Sequence, residues 1–469
     1  MPVDEAGGPC YTPTMLRIVS PSGSRDCAGI NRRDFISIGT LGIGGLALPD
    51  LLAAPPAYLK DKSVVLLFLA GGPSHIETFD PHMDQPAPVC SMTGDLGTAL
   101  PGVRFGGTFP GLAKRARDLA VVRSFQHPVG AHEKAIEHVL TAGHPERASM
   151  GSMVSRLRGG FNPETGLPVY SVLCAPEVDG QYRKELGRVL KGSNPGSMGR
   201  MYGPLVPDGK SQFRKDMELH LPKGRFENRQ ALLQQLDHIK RHIDQSGQID
   251  ALDRFQQRSI DLILNGTSEA LSLEGEDPKL LARYDTSGYR VGKKVFRDCT
   301  LGHQLLMARR LCEAGSNFVT VQCAGWDMHA DGNNPGMVKG MEMLGRPLDQ
   351  ALSVFLDDLK ERGLSEKVLL VITGDFGRTP TVNKRGGRDH WARLGTLAFA
   401  GGGLNMGQVI GRSSRDAGEP ASEPIGPHRL FGTILHTLFD VGAMRTDSRI
   451  PRELMSFIDT CPPIRELVG

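Results

Sequence analysis

From residue 58 onward the chain alternates between short, unbroken apolar runs and longer stretches in which apolar residues recur every three or four positions. The unbroken runs are SVVLLFLAGG (63–72), DLAVVRSF (118–125), PVYSVLCAP (168–176), NFVTVQCAG (317–325), KVLLVITG (367–374) and LGTLAFAGGG (394–403). Runs of this length with no polar alternation predict strands covered on both faces, as in a parallel sheet. The periodic stretches 131–143, 300–315 and 345–363 predict helices, and the last two lead directly into the fourth and fifth strands. That alternation predicts an α/β fold with a mostly parallel sheet flanked by helices.

Residues 205–295 break the alternation. FENRQALLQQLDHIKRHIDQ and IDALDRFQQRSIDLIL are charged and amphipathic with no strand between them, so this span reads as a helical insertion on the sheet domain. RSSRDAGEPASEPIG (412–426) reads as a surface loop. Ahead of the first strand, NRRDFISIGTLGIGGLALPDLLAAPPA places Arg32 and Arg33 before a glycine-rich, weakly apolar stretch ending in alanine and proline. This is the layout of a twin-arginine export signal, with cleavage expected near Ala53–Ala57. The expected organisation is a signal region over 1–57 and one α/β domain over 58–469. The expected location is the periplasm or cell envelope, reached through the twin-arginine translocase.

Charge and composition then narrow the partners. Fifty-five basic against 52 acidic residues leave a net charge of +3, which excludes a nucleic-acid stripe or a polybasic membrane anchor. Eight cysteines form no C-x-x-C pair, which favours neither a zinc ribbon nor a disulfide framework. Aromatic residues, at 6%, argue against a sugar-stacking lectin. No G-x-G-x-x-G follows a strand, so a dinucleotide site has no support.

The candidate chemistry lies where the strands end. In open α/β sheets ligands bind beyond the carboxyl ends of the strands, where loops converge. The first strand is followed by His75, Glu77 and Asp80, and the second by Arg123, His127, His132 and Lys134. After the fourth come Asp327 and His329, and after the fifth Asp375, Arg378, Arg388, Asp389 and His390. Mixed imidazole and carboxylate suit zinc, manganese or iron, and the spacing of Asp327 and His329 lets both reach one ion from a loop. The alternative is a network of ion pairs and caps, in which Asp389 caps and Arg388 pairs. His138 and His144 follow helical spacing and read as surface or capping groups. His238 and His242 sit one turn apart but among charges that suggest a solvated face. Trp326 and Trp391, the two tryptophans, both flank the proposed site.

VVLLFLAGGPSHIETFDP, VVRSFQHPVGAHEKA…LTAG, GWDMH, GDFGRTP and GGRDHW, in this order behind a twin-arginine leader, resemble the exported bacterial family called domain of unknown function 1501. That family resembles the alkaline phosphatase and sulfatase superfamily. The resemblance implies an alkaline-phosphatase-like central sheet and a metal-dependent ester hydrolase using a divalent ion: zinc, manganese, calcium or iron. It implies Asp327, His329, Asp375 and His390 as metal ligands, with His75 and Asp80 at the tip of the first strand. Two departures stand out. Phe376 occupies the place of a metal histidine, and His132 falls where the superfamily has its nucleophile. The C-x-P-S-R motif is absent, which excludes formylglycine chemistry. His132 is then expected as nucleophile, base or ligand. Arg378 and Arg388 are expected to grip anionic oxygens, or else to pair with Asp375 and Asp389. The implied substrate is a small anionic ester or a sulfated or phosphorylated saccharide. The alternative is a non-catalytic protein of the same fold that binds a polysaccharide or a partner.

Overall fold

The computed structural model of the chain describes residues 56–174, 182–207 and 270–468. Its centre is a seven-stranded sheet built from β1 (Ser63–Ala70), β2 (Leu119–Val122), β3 (Tyr170–Leu173), β4 (Phe318–Ala324), β5 (Val368–Gly374), β6 (Leu397–Gly401) and β7 (Gln408–Ile410). The spatial order is β7-β2-β6-β5-β1-β4-β3. Every neighbouring pair is parallel except those that β6 makes with β5 and β2. The sheet is therefore mostly parallel, with helices on both faces, as expected.

All eight residues of β1 are buried because alternate side chains enter two different cores. Val64, Leu66, Phe68 and Ala70 join the core that contains α1 (His132–Leu140), α2 (Met150–Arg158) and α5 (Pro427–Leu438). Val65, Leu67 and Leu69 join the core under α3 (Leu301–Glu313) and α4 (Arg346–Glu361). Such a strand has no solvent side, which explains why its sequence shows no polar alternation.

Register then places the chemistry. Ala70 pairs with Ala324 and Leu69 with Gly374, so β1, β4 and β5 finish level with one another. Through β6, where Leu397 faces both Thr373 and Val122, β2 ends on the same edge. Gly71 turns the chain at that edge with φ +115°, and a Cβ there would lie 2.5 Å from the backbone nitrogen of Asp327. Only glycine lets the tips of β1 and β4 approach so closely.

Several expectations are modified. Strand β7, three residues long, carries no apolar run and was not foreseen; nor were α2 and α5. The 412–426 segment is not only a surface loop, since Ala417 within it is fully buried. His144 is buried against Phe457, with ring centres 4.6 Å apart, and is no surface group, but its Nδ1 does accept locally from the Glu146 backbone N–H at 3.2 Å. The signal region, apart from its last two residues, lies outside the described residues. So does most of the proposed insertion, including His238 and His242. The described part of that span contains the helix Pro278–Tyr284 and the strand Arg290–Val291, which pairs with Arg297–Asp298. Among the described residues no helix is long and apolar enough to cross a membrane.

Candidate metal centre

Asp375 is the first residue beyond β5 and is fully buried. Its Oδ1 accepts from the Gly71 backbone N–H at 2.9 Å, which ties it to the end of β1. Its Oδ2 lies 2.5 Å from Nδ1 of His132, the first residue of α1. Asp327 and His329 leave the end of β4 behind Trp326, which is fully buried and anchors the turn. His390 and Trp391 form a two-residue antiparallel ladder with Gly377 and Arg378. Segments around residues 132, 327–329 and 390 thus deliver their side chains to one point, with Asp375 behind His132.

At that point His132, Asp327, His329 and His390 each offer one ligand atom, and these atoms all lie within 4.8 Å of one another. His329 Nε2 is 2.7 Å from Asp327 Oδ1, His390 Nε2 is 3.4 Å from the same oxygen, and His132 Nε2 is 3.4 Å from Oδ2. Ligands about 2.0–2.1 Å from a tetrahedral ion stand about 3.3 Å apart, so these spacings suit one ion. The far side of each ring meets an acceptor. His132 Nδ1 faces Asp375, His329 Nδ1 faces Asp389 Oδ1 at 3.2 Å, and His390 Nδ1 faces the Gly130 carbonyl at 3.3 Å. An acceptor at Nδ1 holds the ring proton there and leaves the Nε2 lone pair pointing inward. Three lone pairs and a carboxylate would then face one another, which only protons or a cation can reconcile. Nε2 of His132 and of His390 are buried with no hydrogen-bond partner, as this predicts. The donor set fits a divalent metal.

The electrostatics express the same demand for positive charge. Burial works against protonating His132, but the carboxylates of Asp327 and Asp375 outweigh it and raise its pKa to about 9. Asp327 raises His329 as well, against a smaller opposing effect of burial. His390 is lowered by burial. Burial also penalises the Asp327 carboxylate, yet the three imidazoles and Arg378 hold it far below the usual carboxylate range. Phe376, 1% exposed, packs on His132 and His390 with ring centres 4.8 and 4.7 Å away. It supplies an apolar wall to the cluster.

The remaining predicted residues divide between this centre and other places. Arg378, fully buried, reaches Asp327 Oδ1 at 2.7 Å and spends its other donors on the carbonyls of Gly71, Gly72, Trp326 and Arg388. It pairs with Asp327 rather than Asp375 and braces the strand tips. Asp375 touches the cluster through His132. Arg388 is committed elsewhere, to buried Glu77 and to carbonyls of Val89, Cys90, Thr379 and Pro380. His75 bonds the Ala417 carbonyl at 3.0 Å, and Asp80 is occupied by His82, Arg123 and Ser413. The structure does not bring His75, Asp80 or Arg388 into the cluster. Asn383 and Asn334 went unnoticed in the sequence. Asn383 donates to the His329 carbonyl at 2.9 Å and to Asp389 at 3.2 Å; Asn334 donates to Asp327 Oδ2 at 3.5 Å. Their signal was weak, since asparagine in a glycine-rich loop ordinarily marks a turn.

The family model described as "Protein of unknown function (DUF1501)" matches residues 61–443. No curated protein matches the chain. Among solved structures, the lipoteichoic acid synthase LtaP from Listeria monocytogenes is similar at 10% identity, covering 84% of this chain and 76% of that one, with TM-score 0.37. The PsFucS1 sulfatase from Pseudoalteromonas sp. matches at 12% identity over 92% and 77%, TM-score 0.34. The phosphonate monoester hydrolase SpPMH from Silicibacter pomeroyi matches at 10% over 80% and 72%, TM-score 0.30. Likenesses of that order decide nothing about the chemistry of this chain, which rests on its own strand order and side chains.

Proposed function

The chain belongs to the DUF1501 family, and from that premise we propose that it is a metal-dependent hydrolase of phosphate or sulfate esters, acting outside the cytoplasm on a small anionic ester or a sulfated or phosphorylated saccharide. One observation carries the reading: three imidazoles, each with its outer nitrogen facing an acceptor, turn their inner nitrogens on Asp327. His132, Asp327, His329 and His390 would hold the ion. Bound there, a divalent metal supplies Lewis acidity toward an ester oxygen and lowers the pKa of water.

The protein's own groups support that role. Asp375 and Asp389 orient His132 and His329, and Arg378 fixes Asp327 while offsetting its charge. Phe376, buried against the rings of His132 and His390, covers them with an apolar surface and so strengthens the charge interactions there. Among the described residues no serine, threonine or cysteine side chain hydrogen-bonds to any of the four candidate ligands, which favours water as the attacking group over a covalent side-chain nucleophile. The arginine pair Arg32–Arg33 and the stretch after it support export.

Elemental analysis of protein exported through its own leader tests the centre, together with turnover of p-nitrophenyl phosphate and p-nitrophenyl sulfate under zinc, manganese, calcium and iron. The expected result is about one ion per chain and turnover with at least one ester. Asp327→Asn should lose the ion and more than about 100-fold of the activity. A wild-type protein with no stoichiometric metal and no turnover under any of the four ions overturns the proposal.

A further inference from the structure

His390 has a second surroundings that the metal centre does not use. A cleft of about 850 Å³ opens beside it, bounded also by Gly130, Trp391, Arg393, His138 and His428. Pockets that enclose a whole small ligand measure about 300–1,000 Å³, so this space exceeds what a lone phosphate or sulfate group needs. His390 and Gly130, which are hydrogen-bonded to each other, belong to both the cleft and the cluster's edge. Whatever fills the cleft therefore lies next to the candidate metal ligands.

We propose that this cleft is the subsite for the sugar rings of an oligosaccharide ester, with the ester group directed past His390 to the centre. The proposal rests on the hydrolase reading above. Its basis is the hydrogen-bonding character of the walls. His138 and His428 come together on either side of Gly143, and a Cβ on that glycine would lie 3.1 Å from each ring. Both are half-buried, and among the described residues neither imidazole makes a hydrogen bond. Burial keeps both rings toward their neutral form. A neutral imidazole offers one donor and one acceptor, the same pair that a hydroxyl offers in return. A purely apolar leaving group would desolvate both rings and satisfy neither.

Trp391 adds a rigid amphipathic wall, because its Nε1–H donates to the Gly418 carbonyl at 2.5 Å. The Arg393 guanidinium stands 5.7 Å from the indole ring centre, and its exposed pair with Glu419 at 3.5 Å is of the kind that contributes little. Arg393 is therefore available to an anionic substituent on a ring held in the cleft.

The two tryptophans make the test direct, since Trp326 is fully buried and Trp391 lines the cleft. Tryptophan emission is followed while the metal-loaded protein is titrated with inorganic sulfate, p-nitrophenyl sulfate and a panel of sulfated and phosphorylated di- to tetrasaccharides. A saturable change is expected with at least one oligosaccharide, at a concentration at least ten-fold below that needed for p-nitrophenyl sulfate. The signal should vanish in Trp391→Phe. The combined His138→Ala and His428→Ala variant should weaken binding at least ten-fold while metal content stays unchanged, and asparagine at both positions should restore part of the loss. No saturable change with any saccharide, or equal binding by the double variant, overturns the subsite. Emission and elemental analysis are independent, so a protein that binds saccharide without metal defeats the hydrolase reading alone. A metal-loaded protein blind to saccharide defeats the subsite alone.

Discussion

Asp375 leaves β5 fully buried, and its two oxygens meet different partners: a backbone N–H from Gly71 and the Nδ1 of His132. Asparagine at this position can still accept from Gly71, but it presents an NH2 to His132. The ring proton must then move to Nε2, which removes the lone pair from the centre. Asp375→Asn is expected to keep its fold by circular dichroism and to lose about 10–100-fold in metal affinity, measured by competition with a chelating indicator. Unchanged affinity would remove Asp375 from any positioning role. The sequence marked this residue as chemical because a carboxylate at a strand end has no place in a core. It could not reveal that the carboxylate faces the outer nitrogen of His132, since that depends on which side of the ring it occupies. The same limit explains His75, Asp80 and Arg388, which have the right side chains at strand ends and yet serve local contacts.

At the scale of elements, α3 and α4 are joined by a buried charge network. Arg309 on α3, 1% exposed, meets Asp358 on α4 at 3.2 Å and Glu276 at 3.0 Å, while Tyr284 donates to Asp358 at 2.9 Å. Without Arg309, buried Asp358 and Glu276 keep only the more exposed Arg362 and Arg310, and the charge between the two helices is no longer balanced at its buried centre. Arg309→Met is expected to cost about 3–5 kcal/mol in urea unfolding. A loss under about 1 kcal/mol would mean that water reaches the acids and the network does not bind the helices. Strands β1 to β6 and helices α1, α3 and α4 were legible as elements because their burial is written in apolar periodicity. Strand β7 was not, because three edge residues cannot establish a period, and the reversed direction of β6 leaves no trace in its composition.

For the whole molecule, metal, proton and stability are linked. His132, raised to about 9 by its carboxylates, stabilises the metal-free fold fully below its ordinary 6.5, and that contribution is lost as pH rises through 9. His75 and His127 act in the opposite sense. Burial lowers each to about 4, so the unfolded chain takes up their protons first and stability falls as pH drops from 6.5 toward 4. The melting midpoint of chelator-treated protein is expected to decline on both sides of about pH 6.5, as followed by scanning calorimetry. A midpoint that is level from pH 4 to 9 contradicts this balance. Metal affinity should climb with pH up to about 9, because the ion must displace the His132 proton. Adding back an ion at about 100 times its Kd should restore about 2.7 kcal/mol to the wild type and nothing to Asp327→Asn.

What the amino-acid order determined by itself is the sheet and the kind of chemistry at its edge, because both follow from local rules. Apolar runs must be buried on both faces, and imidazoles beside carboxylates after such runs must lie where strands end. What only the tertiary structure decided is membership and role. His132, Asp327, His329 and His390 converge because β1, β4 and β5 finish in register and because a glycine lets two strand tips touch. Those are relations between residues hundreds of positions apart, and no local pattern encodes a distance across the sheet.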